Sequence, residues 1–498
     1  MQENLRVISV YDDDIEGKSP QINRKMSILA LLFASLCVNL AFGIILPFLP
    51  IYVDLIATDI EILGMIFEIG FQVGILTSAF MISRCILAPT FGQLSDAKGR
   101  KPIILIGMAI YGFLCMGFAF STDILTLFIV RLGQGVASAA VWPVAESLVA
   151  DLSDERDFGK YMGWYILSMQ LGWASGPFFG AAANIFIMGT GFVTSTITSM
   201  QIIFFSVAGL SFVSVPLIFY FVQDPKITQR FNLQDVKETV ITMLKASVRG
   251  PIIFGETVFK AIKRNPDPEE AVPRGIYGMA LANGFGFALI WPIMTLFYLD
   301  YYIPDINVVL TIIGIASVIG LVFNPIGGYI ADRTSRKNVV VGVGLCSVVM
   351  TLILGLEVTI FVLFILILVR QAVFSILMPA FRALQAEVVP KRIRGEIFGV
   401  VQALFNVGGV FGPIVGGILY DMFPGRYVIS LLGLEITVFG TIIVFAVTSI
   451  LTLMGVLMIL LFVRVTKSPK TLKEGTHQRE ADLLIEQEII GSESREHT

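Results

Sequence analysis

The sequence predicts an all-α integral membrane protein, with twelve transmembrane helices in two pseudo-symmetric six-helix bundles. Three observations predict it. The 498 residues are 55% hydrophobic and only 15% charged, whereas a soluble domain carries about 25% charge, so the chain lacks the polar surface to cover a globule in water. Its apolar residues fall in twelve long runs, many of them reaching the roughly 20 residues that span a bilayer core as a helix. The chain also repeats itself at one fixed offset.

The runs lie at 27–50, 65–91, 102–121, 124–148, 160–187, 200–222, 275–299, 306–330, 338–357, 359–386, 398–420 and 437–463. They are continuously apolar rather than alternating, which excludes a β-barrel. A polar stretch precedes the first run and that run is long, so no cleaved signal peptide is expected. Lys98, Arg100, Lys101, Arg333, Arg336, Lys337, Lys391, Arg392 and Arg394 fall in loops on one side, with Arg24, Lys25, Arg464 and Lys467. The opposite loops carry Asp54, Asp59, Asp123, Asp300 and Asp305, Arg426 being the main exception. Short-loop Lys and Arg mark the cytosolic side, so both termini are expected there, in a plasma-membrane protein.

A shift of 236 residues carries Asp96 onto Asp332, and with it Pro89 onto Pro325, Gly92 onto Gly328, Arg100 onto Arg336 and Lys101 onto Lys337. The same shift carries Pro143 onto Pro379, Asp151 onto Glu387, Gly163 onto Gly399, Gly172 onto Gly408, Gly176 onto Gly412, Pro177 onto Pro413 and Gly180 onto Gly416. Two parallel halves of this kind are built around a substrate site near the bilayer midplane. The expected division is a cytosolic tail at 1–26, one bundle at 27–222, a cytosolic linker at 223–274, a second bundle at 275–464 and a cytosolic tail at 465–498. In the linker, "NLQDVKETVITMLK" reads as an amphipathic helix on the membrane surface. Asn232 would cap it, and Leu233, Val236, Val240 and Leu244 would share one face.

Composition excludes several function classes. Cys37, Cys85, Cys115 and Cys346 sit in apolar runs without metal-ligand spacing and read as packing residues. His477 and His497 both lie in the tail, so no transmembrane histidine can relay protons. No nucleophile–base pair, metal cluster or phosphate loop argues for an enzyme, a metal or a cofactor. The net charge is −3, and no basic block suggests nucleic acid. The expected partners are a small-molecule substrate and the lipid bilayer, with the chain a monomer.

Four motifs carry chemistry. "GQLSDAKGRKP" holds Gly92, Asp96, Gly99, Arg100 and Lys101, and its twin "GYIADRTSRKN" holds Gly328, Asp332, Arg336 and Lys337. A carboxylate at a glycine-flanked helix junction can accept from a basic residue or a helix N-terminus, so the loop is a candidate gate. Alternatively it is a topogenic signal alone. On the fourth run, Arg131, Gln134, Ser138, Trp142 and Glu146 recur every three or four residues and form one polar stripe. An arginine in hydrocarbon costs at least about 2.5–3.5 kcal/mol unless it meets a cavity or partner, so Arg131 either functions or snorkels to the headgroups. The corresponding stripe in the second half is Gln371, Ser375, Met378, Arg382 and Gln385, where Ile367 replaces Arg131 and Arg382 opposes Glu146 in charge. These two either pair as a cavity closes or belong to separate salt bridges. On the fifth run, "GWYILSMQLGWASGPFFGA" places Gly163, Gly172, Gly176, Pro177 and Gly180 where small residues allow close helix packing.

These residues resemble the major facilitator superfamily. "GQLSDAKGRK" is similar to its loop 2–3 signature, with Ala97 where a basic residue is usual, and "RLGQGVASAA" to its fourth-helix signature at Arg131, Gln134, Gly135 and Ala140. The fifth-run glycines and Pro177 resemble the antiporter motif of the twelve-helix drug:proton exporters, the group that includes tetracycline exporters. The resemblance implies alternating access, with Arg131 coupling protonation to substrate movement and a proton gradient as the driving force. Asn39 stands where related exporters often carry an acid, so a proton carrier would have to be Glu68 or Glu146. Glu68 reads equally as an interfacial residue. Arg84 and Arg370 add intramembrane cations that favour neutral or anionic substrates. The expected pocket takes Asn39, Arg131, Gln134, Trp142, Trp164, Gln170, Asn283, Trp291 and Gln402. Export of amphipathic organic compounds in exchange for protons is the leading reading. Uniport or symport of a metabolite such as an organic anion or sugar is the alternative, and a non-transporting receptor on the same fold a third. If the loop aspartate gates, Asp96→Asn alters turnover and the ratio of inside to outside cysteine accessibility. Unchanged values would leave the loop a topogenic signal.

Overall fold

The computed structural model describes residues 24–464 apart from 57–59, 63–64, 155–156, 226–232, 264–271, 391–393 and 432–433. Asp59, Asn232, Lys391, Arg392 and both histidines therefore lie outside the described residues, as do most of the tails.

The first half contains α1 (Arg24–Ile56), a short hairpin of β1 (Ile60–Ile62) and β2 (Met65–Phe67), α2 (Ile69–Lys98), α3 (Arg100–Phe120), α4 (Ile124–Leu152), α5 (Phe158–Gly189) and α6 (Thr196–Phe221). The linker forms α7 (Leu233–Lys263). In the second half, α8 (Arg274–Ile290) runs through a 3₁₀ turn at Trp291–Ile293 into α9 (Met294–Tyr301). It is followed by α10 (Ile306–Arg333), α11 (Arg336–Ile353), α12 (Ile360–Val388) and α13 (Arg394–Met422), the antiparallel hairpin of β3 (Arg426–Leu431) and β4 (Leu434–Phe439), and α14 (Ile442–Phe462). Among the described residues, twelve spans are long and apolar enough to cross a membrane, with α8 and α9 forming one of them.

The repeat explains the local structure. Its paired prolines, Pro89 and Pro325, Pro143 and Pro379, Pro177 and Pro413, all fall inside helices, where neighbouring helices can compensate the lost donor. Pro292 converts α8 to a 3₁₀ turn before α9 resumes. The acidic loops owe part of their composition to capping. Asp123 accepts from the Thr126 N–H (2.9 Å) and hydroxyl (2.7 Å) at the start of α4, and these bonds hold its carboxyl below the usual carboxylate range. Asp305 accepts from the Asn307 N–H (2.8 Å) at the start of α10. Carboxylates at helix N-termini are favoured by the exposed N–H groups and the dipole. The one basic exception, Arg426, is ion-paired to Glu357 at 3.3 Å.

Within the first half, α1 packs on α5 and α6, α2 on α4, and α3 on α4 and α6; the second half repeats this with α8, α10, α11, α12, α13 and α14. Two seams join the halves, α2 against α13 and α5 against α10. At the end bearing the acidic loops both are tight. A Cβ on Gly417 would stand 2.1 Å from the Gly70 carbonyl oxygen, and one on Gly314 would stand 2.8 Å from the Phe178 backbone nitrogen. Beside the first contact, the Asp421 carboxylate of α13 accepts from the Gly70 and Phe71 N–H groups at 2.9 and 2.8 Å, capping α2 across the seam. On the second seam, the Asn184 amide donates to the Asn307 side chain at 2.8 Å. At the basic end of the same four helices, Gly92, Gly163, Gly328 and Gly399 have no atom within 4 Å of where a Cβ would sit. In this conformation the glycine-flanked junctions at Gly92 and Gly328 therefore hold no close helix contact. The turn itself relies on Gly99, whose φ of +92° favours glycine.

Helix α7 packs one face on the first bundle and leaves an apolar stripe free. Thr239, Met243 and Gly250 are buried, and a Cβ at Gly250 would touch the Leu87 side chain of α2 at 2.3 Å. Leu244, expected on the apolar face, lies with Ile241, Val248 and Ile252 on an exposed apolar stripe. Cys346, expected in packing, is also exposed.

Asp421→Ala should loosen the closed end by about 1–2 kcal/mol, the worth of a helix cap, which is a factor of roughly 5–30 in population. Labelling of Leu46→Cys by a membrane-impermeant maleimide should accelerate accordingly. An unchanged rate would mean the cap does not hold that end.

Candidate functional site

The α4 stripe divides by depth. Arg131 is 1% exposed, with its guanidinium 5.0 Å from the Phe118 ring centre and 5.9 Å from that of Phe80. It donates weakly to Gln134 Oε1 at 3.5 Å, and Gln134 approaches Cys115 Sγ at 3.6 Å. Among the described residues, Arg131 Nε and Nη2 and the Ser138 hydroxyl have no hydrogen-bond partner. Arg131, Gln134 and Ser138 thus lie inside the first bundle and not on an open pocket, and Arg131 does not snorkel. Trp142 is buried against Phe42 and Phe80, with the Arg84 guanidinium 4.2 Å from its ring centre. Glu146, one turn further, is exposed. It lies within electrostatic range of Arg382 in the other half, yet among the described residues no ion pair joins them, because the halves are apart at this end. Arg382 donates to Gln402 (2.6 Å), which donates to Asn406 (3.2 Å). Asn283, Arg382 and Gln402 line one cavity of about 80 Å³.

A second cavity, of about 50 Å³, lies between the halves. Leu46 and Pro47 of α1 form one wall; Trp291, Tyr298, Arg370 and Gln371 contribute to the other. Trp291 stacks on Phe287 (5.3 Å) and meets Trp173 of α5 across the interface, with ring centres 5.0 Å apart. Nearby, Asn324 of α10 donates to Gln170 of α5 at 2.9 Å. The 236-residue shift carries Gln134 onto Arg370, so each half has an arginine in the first half of this helix, displaced by a turn, and α12 adds Arg382 nearer its far end. Arg131 is sealed in its bundle and Arg370 faces the interface.

Two further expected pocket residues, Trp164 and Asn39, and the proton-carrier candidate Glu68 also lie elsewhere. Trp164 is 54% exposed, one heptad before Leu171 and, nine residues from Trp173, on the opposite side of α5. Asn39 is buried in the α1–α5 contact, its amide donating to the Ser35 carbonyl at 2.8 Å. Glu68 is an exposed residue preceding α2 at the closed end, which suits the interfacial alternative. The sequence reading passed over Trp173, Asp421, Asn184, Asn307 and Asn324. Trp173 adjoins Gly172 in the fifth-helix motif, so the next face of that helix was its only signal.

The motif glycines press α5 into α1. A Cβ on Gly172 would stand 2.5 Å from the Leu36 carbonyl oxygen, one on Gly176 2.3 Å from the Gly43 carbonyl carbon, and one on Gly180 2.6 Å from the Phe48 ring. Gly163 meets nothing. The two charged loops tie helices within their own halves. Arg100 pairs with Asp96 (3.3 Å) and Asp151 (3.0 Å), while Asp224 accepts from the Arg100 and Lys101 N–H groups. Arg336 pairs with Asp332 (3.0 Å) and Glu387 (3.7 Å), and Lys337 Nζ donates to the Leu460 and Val463 carbonyls. Among the described residues no cluster of three or more His, Cys, Asp or Glu could hold a metal.

A family model described as Major Facilitator Superfamily matches residues 23–267 and 276–493. The chain belongs to this superfamily. It is 24% identical over 410 residues to Multidrug resistance protein 2 of Bacillus subtilis, covering 80% of this chain and 90% of that one. It is 27% identical over 399 residues to Multidrug resistance protein MdtG of Proteus mirabilis, covering 79% and 88%. Its fold matches a bacterial homologue of the human lysosomal transporter Spinster, solved inward-facing and occupied, with a TM-score of 0.62, 13% identity and 80% and 82% of the two chains covered. The protein is a multi-pass membrane transporter of the superfamily, similar to the drug:proton antiporter group.

Gly176→Val should force α5 from α1, and overpacking of this kind costs about 1–3 kcal/mol. Its Tm in detergent should fall clearly, while that of Gly163→Val should stay at the wild-type value. Equal Tm values would remove the packing role assigned to Gly176.

Proposed function

We propose that the protein is a monomeric secondary active exporter in the plasma membrane, with its basic end and both termini in the cytosol. It exchanges amphipathic organic compounds for protons by alternating access. The observation that supports this most is the pair of seams, closed to backbone contact at the acidic end and parted at the basic end. With the basic end cytosolic, the conformation is inward-facing, ready to load from the cytosol. The fifth-helix glycines packed on α1, and relatives named for multidrug resistance, support the drug-exporter reading.

Exchange needs a titrating carboxyl. Glu146 faces the open end opposite Arg382, and Asp421 holds the closed end. Glu68 and the Asp300–Tyr420 hydrogen-bonded pair surround Asp421, and Asp54 lies near Asp300. Arg131, buried on the same helix as Glu146, would link protonation to movement in the first half. One feature favours uniport or symport of a metabolite instead: the Asn39 amide, already bonded to Ser35, cannot titrate.

Flux in reconstituted vesicles under an imposed pH gradient tests the proposal. One-for-one exchange supports up to about tenfold accumulation per pH unit, since a tenfold ratio is about 1.4 kcal/mol. Accumulation that follows the gradient and disappears in Arg131→Ala is the expected result. Equilibration indifferent to the gradient would rule out proton exchange and favour uniport.

A further inference from the structure

We infer that the cavity between the halves binds an organic anion, with Arg370 holding its carboxylate and the Trp173–Trp291 pair covering its aromatic body. This names a substrate class for the transport site proposed above and rests on that reading.

Arg370 lies ten residues into α12, about 15 Å from its start, where an arginine is costly without a cavity or partner. The other arginines of the bundles have protein neighbours. Arg131 is enclosed by Phe118 and Phe80, Arg84 covers Trp142, and Arg382 donates to Gln402. Among the described residues, Arg370 makes no hydrogen bond or ion pair, and its ionisable neighbour is the Tyr298 phenol. Arg370 instead lines the cavity, and no Asp or Glu lines it. An organic cation would find no counter-ion there and would meet a like charge. A carboxylate finds a planar fork of donors matched to its own geometry, with Tyr298 and Gln371 able to donate further bonds.

Size and shape agree with this division of labour. A cavity of about 50 Å³ holds a carboxylate or a few waters, not a whole amphipathic molecule. The body must therefore extend along the interface, where Trp291 and Trp173 face each other from opposite halves. A ligand seated there touches both halves at once, as a substrate that controls closure must.

Quenching of tryptophan fluorescence in the detergent-purified full chain, by 1-naphthoate against the neutral isostere 1-naphthamide, tests the assignment. The wild type should bind naphthoate at least about tenfold more tightly. Arg370→Gln should abolish that preference, Arg370→Lys should retain part of it, and Arg84→Gln should leave it intact. Equal binding of the two probes to the wild type overturns the assignment, and needs no variant to fold. So does a preference that survives Arg370→Gln, or competition by chloride as strong as by naphthoate, which would make this an inorganic-anion site. Naphthoate preference without gradient-driven flux would defeat proton exchange alone. Gradient-driven flux of neutral or cationic compounds without carboxylate preference would defeat this inference alone.

Discussion

The two halves of the chain meet along two seams, and at the acidic end both approach backbone contact, Gly417 over Gly70 and Gly314 against Phe178. Much of the remaining architecture depends on that constraint. A seam that is tight at one end of a long, stiff helix and parted at the other acts as a lever, so closing one mouth opens the opposite one. The repeat makes the two seams equivalent, since the 236-residue shift carries α2 onto α10 and α5 onto α13. A rocking motion can therefore load both together. Charged loops that bind within one half, such as Arg100 with Asp151 and Arg336 with Glu387, keep each half rigid enough for the lever to work.

Burying cations without carboxylate partners is the second constraint, and the two halves meet it differently. Arg131 lies among aromatic faces, where cation–π attraction of about 0.5–2 kcal/mol offsets part of its desolvation. Arg370 has a cavity instead. The displacement of one turn between these equivalent helices separates a sealed cation from one that faces the interface. Near-symmetry in sequence thus produces asymmetry in chemistry. The first half supplies a buried charge, and the second supplies the charge a ligand can reach.

Fold class was legible because it depends on composition and on a repeat, neither of which needs tertiary knowledge. The twelve runs correspond to twelve spans, and the offset aligns not only prolines but also the ion-pair partners Asp151 and Glu387. The site was less legible, because a polar stripe on a helix does not say which neighbour it faces. Gln134 and Arg131 share a stripe with Glu146, yet two are sealed inside the bundle and one is exposed. Trp164 and Trp173 sit on one helix, nine residues apart, and only packing against α1 and α10 tells which meets the interface. Asp421 fell at the end of an apolar run and had the pattern of an ordinary loop residue. Its partners are backbone N–H groups at Gly70 and Phe71, which no side-chain motif can announce.

Those partners also separate the two seams chemically. The same shift carries Asn184 onto Tyr420 and Phe71 onto Asn307, so the amide bridge on one seam and the carboxylate cap of Asp421 on the other lie within one residue of equivalent places. An asparagine pair keeps its hydrogen bond at any physiological pH. A carboxylate accepts from two N–H groups at a helix N-terminus most strongly when ionised, because charge assistance roughly doubles such bonds and the dipole favours an anion. A proton arriving at Asp421 weakens one closure and leaves its counterpart untouched. In the exchange proposed above, with Asn39 unable to titrate in the first helix, that asymmetry would let the closed end respond to protons independently of the central pocket. In that proposal the acid sits at the seam, where Asp421 caps α2 and its charge state bears on the lever.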